Sequence, residues 1–165
     1  MSKLKYIMDM KEYFGKDLKR INHALKVLNF ADRIMDGENI SDDKLKKIVT
    51  ITAILHDIGI KNAEKKYNSS SGKFQEIEGP AVAREIMKNN NEDDDTIERV
   101  CYIIGGHHTA SKNNGLDFQI IWESDFLVNI EEDELYKNLE NVKNIIEKNF
   151  KTKTGKRIAT DIFFS

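Results

Sequence analysis

Apolar residues recur at intervals of three and four along almost the whole chain. Leu18, Ile21, Leu25 and Leu28 fall on one stripe, with Val27, Phe30 and Ile34 beside it, which predicts an amphipathic helix over about 16–36. A shorter helix over 4–14 precedes it and ends near Gly15. Ser41-Asp42-Asp43 supplies capping and first-turn chemistry for a third helix, running through Leu45, Ile48, Ile51, Thr52 and Leu55 to Gly59. Residues 60–67 suit a short helix. The stretch from Tyr67 to Gly79 (YNSSSGKFQEIEG) reads as a loop. Pro80 fits the first turn of a helix over about 79–89. Further helices are expected over 94–108, 117–130 and 132–149. The tail over 151–165 ends in Ile162, Phe163 and Phe164 and is expected to dock on the body. No segment shows a convincing alternation of period two. The fold class is therefore all-α, with one domain over 1–165.

The same helical phase singles out polar residues in apolar company. Asp125 shares a stripe with Phe118, Ile121, Trp122, Phe126 and Asn129. An unpaired buried carboxylate is costly, so Asp125 is expected to meet a basic partner or a metal. His108 continues the line of Ile97, Val100, Cys101 and Ile104, and His107 follows Val100 and Ile103. His23 lies at the edge of the stripe formed by Val27, Phe30 and Ile34. His56 and Asp57 close the third helix, where the partly negative end of the helix dipole favours a cation. Any one of these is more often a satisfied core or surface residue. Together, four helices aim imidazoles or carboxylates inward, and a divalent ion between them satisfies all at once. Nitrogen and oxygen ligands suit Zn, Mn, Fe or Ni better than Ca.

Composition narrows this. The chain has 165 residues and a net charge of −2, so it lacks the basic excess of a general nucleic-acid binder, and none is expected as a partner. Cys101 is the only cysteine. It excludes an internal disulfide and a thiolate cluster, and fits a cytoplasmic setting. No apolar run approaches the ~18 residues that span a bilayer, and no leader pattern opens the chain. Phe163 and Phe164, where exposed, offer a surface for a homodimer.

The order His23, then His56-Asp57 within ILHDIGIK, then His107-His108, then Asp125 resembles the HD superfamily of metal-dependent phosphohydrolases. The pattern spans about 20–130, with C-terminal helices over 132–165. GKFQEIEGPAVAREIM, ERVCYIIGGHHT and ESDFLVN are similar to segments of small bacterial HD proteins. The resemblance implies a compact helical bundle with a central metal site, with His23, His56, Asp57 and Asp125 as ligands. In two-metal members, such as the symmetrical dinucleoside tetraphosphate hydrolases, the counterpart of Asp57 bridges the ions. His108 and the position of Gln75 would then complete a second site with His107 nearby, but glutamine replaces the histidine there, which favours one ion over two. The family's lysine three residues after the HD aspartate is Ile60 here, with Lys61 one place later. The implied activity is hydrolysis of a phosphomonoester or phosphoanhydride in a small, nucleotide-like molecule. Asp57, His107 and His108 would serve the chemistry, and Lys61 and Arg84 the substrate's charge. The alternative is a metal- and nucleotide-binding sensor with little turnover.

Overall fold

The computed structural model describes residues 1–165 as nine α-helices with no strand. They are α1 (Lys3–Phe14), α2 (Leu18–Gly37), α3 (Asp43–Leu55), α4 (Ile60–Tyr67), α5 (Gly72–Asn89), α6 (Asp94–Ile104), α7 (Leu116–Glu132), α8 (Leu139–Asn149) and α9 (Lys153–Phe163). Side-chain caps start most of them. Asp17 accepts from the Arg20 amide, Asp42 from Lys44 and Leu45, Asp93 from Thr96, and Thr152 from Gly155. Each cap satisfies amides that the helix itself leaves without partners.

The centre of the bundle is the trio α2, α3 and α7, which pack on one another, with α5 and α6 paired against α3 and α4. From Ile48 to Leu55 every residue of α3 is buried. Ile34, Ile51, Ile54, Leu55, Ile104 and Phe118 are fully enclosed in one continuous core. Each side chain of this size contributes about 1.5–3 kcal/mol on burial. No helix is long and apolar enough to cross a membrane.

Three expectations change. First, α5 begins at Gly72, and Pro80 lies inside it rather than in its first turn. The Gly- and Ser-rich propensity of 69–79 is overridden by contacts. The Phe74 ring stacks on Tyr67 at 4.2 Å, Gln75 donates to the Ser70 carbonyl, and Glu78 pairs with Lys66 while accepting from Tyr67. Second, α6 stops at Ile104, and His107 and His108 lie in the turn beyond it, so the helical phase does not reach them. His107 is buried, whereas His108, expected to continue the core-facing line, is exposed. Third, α7 runs to Glu132, and the expected helix over 132–149 is interrupted. A short 3-10 turn (Leu135–Lys137) separates α7 from α8, which Asn138 caps. The tail is helical and docks through Ile158 and Ala159, leaving Phe164 largely exposed.

Gly59, the glycine of HDIG, is fixed by close approach. A β-carbon there would stand 2.6 Å from both the Gln75 carbonyl oxygen and the Gly79 amide nitrogen. Backbone atoms cannot step aside as a side-chain tip does, so only glycine lets α5 lie against the turn that carries His56 and Asp57.

Candidate metal centre

Three helices deliver the first group. His23 comes from the middle of α2, His56 and Asp57 from the turn after α3, and Asp125 from the middle of α7. His23, His56 and Asp125 are buried, and Asp57 is partly so. The His23 Nε2 lies 3.1 Å from the His56 Nε2, 3.1 Å from an Asp125 oxygen and 3.2 Å from an Asp57 oxygen. The His56 Nε2 is 3.4 Å from Asp57 and 3.6 Å from Asp125.

The outer ring nitrogens decide what the inner ones can do. His56 donates from Nδ1 to the Ala53 carbonyl at 2.8 Å, and His107 from Nδ1 to the Ile104 carbonyl at 2.7 Å. His23 turns its Nδ1 to the Glu132 carboxylate at 3.1 Å. With the Nδ1 proton committed, each neutral ring aims its Nε2 lone pair at the carboxylates. Lone pairs facing lone pairs at this distance require something positive between them, a proton or a metal ion. Without a metal the protons stay. Burial opposes a charge on His56, but Asp57 and Asp125 outweigh it and push its pKa up to about 9. Burial would raise Asp125, yet hydrogen bonds from His23 and His56 hold it well below the usual carboxylate range. His23, His56 and Asp57 bring one ligand atom each within 4.8 Å of one another, as do Asp57, His107 and His108. The donor set therefore fits a divalent cation. Two carboxylates offset its charge, and the outer hydrogen bonds hold the rings in place.

Asp57 joins the two groups. One of its oxygens faces His23 and His56, and the other lies 3.2 Å from the His107 Nε2. His108 packs beside His107, with ring centroids 4.0 Å apart and planes tilted by 45°, and donates from Nε2 to the Gln75 side-chain oxygen at 2.8 Å. Glu76 braces this turn, accepting from the His108 amide and the Thr109 hydroxyl.

The HD domain family model matches residues 20–161. The chain belongs to the HD domain family. A protein of Clostridium beijerinckii described as "Uncharacterized protein" is 31% identical to this HD domain over 111 residues, covering 66% of this chain and 68% of the relative. No solved structure gives a significant match. HD domains are typically metal-dependent phosphohydrolases, and the buried imidazole–carboxylate cluster is of the kind that holds a divalent ion.

The structure does not bring the two expected cations to the cluster. The Lys61 ammonium sits on the Tyr13 carbonyl at 3.1 Å and over the Tyr13 ring. Arg84 is engaged by Glu98 at the surface, between α5 and α6. The cations that do line the cleft beside His23 and Asp57 are Lys19 and Arg20, and Arg20 is shared between Asp17 and Glu64. Glu132 is the principal residue that sequence reasoning missed. Its signal was present, because Asp125, Asn129 and Glu132 follow at i, i+4 and i+7. A helix ended at 130 cuts that series short.

Proposed function

We propose that this HD domain is a metal-dependent phosphohydrolase cleaving a phosphomonoester or phosphoanhydride in a small nucleotide-like molecule. The observation that carries the reading is the convergence of the His23 and His56 Nε2 atoms with oxygens of Asp57 and Asp125. These four residues would hold the ion, one rather than two, and Fe, Mn, Zn or Ni all suit the donors. The chemistry such an ion supplies when bound is polarisation of a phosphoryl oxygen and a lower pKa for water.

The chain's own groups handle the rest. Asp57, facing both imidazole groups, would orient the attacking water. Hydrolysis adds the water oxygen to phosphorus, breaks the bond to the leaving oxygen and delivers a proton to that oxygen. His107 is placed to exchange a proton with Asp57. His108 gives its Nε2 proton to the Gln75 oxygen. Desolvation of its ring and the neighbouring His107 push its pKa down to about 4, so its Nδ1 is a bare acceptor for a substrate hydroxyl. The proton for the leaving oxygen would be the one His107 takes up from the attacking water. Lys19 has no side-chain partner and stands where substrate charge would arrive.

One observation favours the second reading, a metal- and nucleotide-binding sensor with little turnover. Of the two cations lining the cleft, Arg20 is already held by two carboxylates, so little positive charge is free for a polyphosphate. The test is protein purified without chelator, assayed for metal by elemental analysis and for phosphate release from nucleotides, dinucleoside polyphosphates and cyclic dinucleotides. About one ion per chain with turnover of at least one compound supports the hydrolase. Metal without turnover supports the sensor, and no metal overturns both.

A further inference from the structure

Two openings flank the centre and meet over it. One, of about 270 Å³, is walled by Trp122, Phe126 and Leu135, with His107, His108 and Asp125 at its floor. The other, of about 170 Å³, is polar and holds Lys19, Arg20, Ser70 and Gln75 with His23 and Asp57. Asn129 and Asp133 border both. They are two lobes of one cleft, apolar on one side and charged on the other, with the imidazole–carboxylate cluster between.

The apolar lobe is built on α7 one turn from the cluster. Trp122 and Phe126 flank Asp125 in helical phase. They are only half-buried, while Phe118 and Ile121 on the same helix are fully enclosed. The Trp122 indole N–H is taken by the Asn149 side-chain oxygen at 3.2 Å, and Phe126 meets the indole at 5.7 Å in an edge-to-face arrangement. The indole N–H is therefore committed, and what the side chain offers the cleft is aromatic surface rather than a donor. Further along the same stripe, on α7 and at its C-cap, the side chains of Asn129 and Asp133 make no hydrogen bond or ion pair within the protein. Polar groups without partners beside a fixed aromatic wall suit a flat heterocycle with N–H and carbonyl groups on its edge.

We propose that this lobe seats the nucleobase of the substrate, stacked on Trp122 and bordered by Asn129 and Asp133, with the phosphate at Asp57 and any further phosphate toward Lys19. This rests on the phosphohydrolase reading and narrows it. The recognised part is one base with its sugar, stacked on the single indole of the lobe. Stacking is tolerant of base identity because every base has a π-face.

Trp122 is the only tryptophan in the chain, so its emission reports on this lobe alone. Mn²⁺-loaded protein is titrated with adenosine and guanosine 5′-monophosphates and, in parallel, with ribose 5-phosphate. The nucleotides are expected to change Trp122 emission saturably, and ribose 5-phosphate is not. In the phosphate-release assay, Trp122→Leu is expected to lose about tenfold or more in kcat/KM for nucleotides while staying within about twofold on ribose 5-phosphate. Trp122→Phe, which keeps an aromatic wall, is expected to fall between, and it carries the comparison if the leucine variant fails to fold. Silent emission with equal turnover of nucleotide and ribose 5-phosphate overturns the base seat and leaves the hydrolase standing. Saturable emission change without phosphate release from any compound leaves the base seat standing and overturns the hydrolase. Emission that responds equally to ribose 5-phosphate also overturns the base seat.

Discussion

On the α2–α3–α7 side of Asp57, both imidazoles have their outer nitrogen committed. His56 gives Nδ1 to a carbonyl and His23 gives it to Glu132, so both Nε2 atoms point at the carboxylates. On the α5–α6 side only His107 is held that way. His108 is exposed, and its Nε2 is occupied by the neutral amide of Gln75. The first side offers a set of donors suited to one cation, whereas the second has spent one nitrogen on a hydrogen bond. The difference supports the proposed single ion, and residues on the two sides should respond differently to substitution.

The harshest break removes the residue common to both sides. Asp57→Ala leaves His23 and His56 facing each other with one carboxylate instead of two. Metal content is expected to fall from about one ion per chain to less than a tenth, and phosphate release with it. Elemental analysis of protein prepared without chelator reads this directly. Retention of a full complement would show that the ion does not sit among these groups.

Protons compete with the ion at His56. The pKa of His56 is raised to about 9, so the ring is charged at neutral pH in metal-free protein. An ion needs the neutral ring, so each pH unit below about 9 is expected to cost up to tenfold in apparent metal affinity. The sign for stability is opposite. A raised pKa stabilises the metal-free fold in full below the unfolded value and loses that contribution as pH rises through about 9. Metal-free protein should therefore melt lower at pH 10 than at pH 7, and metal-loaded protein should lose most of that difference. Metal affinity independent of pH between 6 and 9 would refute the proton competition.

Glu132 tests whether the outer hydrogen bonds matter. A carboxylate behind a ligating imidazole fixes its orientation and raises its basicity, and losing one typically costs 10–100-fold in affinity. Glu132→Ala is expected to weaken metal binding by roughly that factor, measured by chelator competition. Glu76→Ala, which loosens the His108 turn instead, is expected to leave the affinity within about threefold. Equal effects would dissolve the distinction between the two sides.

How much of this was legible in the sequence follows from how far helical phase carries. Asp125 could be found because it repeats the spacing of Phe118, Ile121 and Trp122 within a single helix. The core-facing place read for His108 did not hold because α6 ends at Ile104, and phase means nothing past a helix end. The start of α5 was hidden for a different reason. Its Gly and Ser residues argue locally for a loop, while the Tyr67–Phe74 stack and the Lys66–Glu78 pair are tertiary contacts that propensity cannot see. The aromatic lobe depends on Leu135 returning beside Trp122 and Phe126 through the turn after α7, which no periodicity describes. Helical phase made chemistry carried within one helix readable, and the His56-Asp57 pair was marked by its pattern, but the rest of what turns assemble was not readable.

The finest adjustment asks whether one side chain separates the two sides. Gln75 lies on α5 with its oxygen 2.8 Å from the His108 Nε2, and an amide is a weak ligand beside an imidazole. Gln75→His offers a nitrogen in that neighbourhood while Asp57 and His107 stay in place. Gly59 keeps α5 against the HD turn, so the new ring starts from a fixed backbone. The variant is expected to bind a second ion, more weakly than the first, with the affinity of the first changed by less than about threefold. Titration followed by elemental analysis should move the stoichiometry from about one toward two. A stoichiometry that stays at one would mean that His108 is the limiting group. It is exposed and tilted against His107 with no hydrogen bond at its Nδ1, so glutamine at 75 would then be a consequence of the one-ion site rather than its cause.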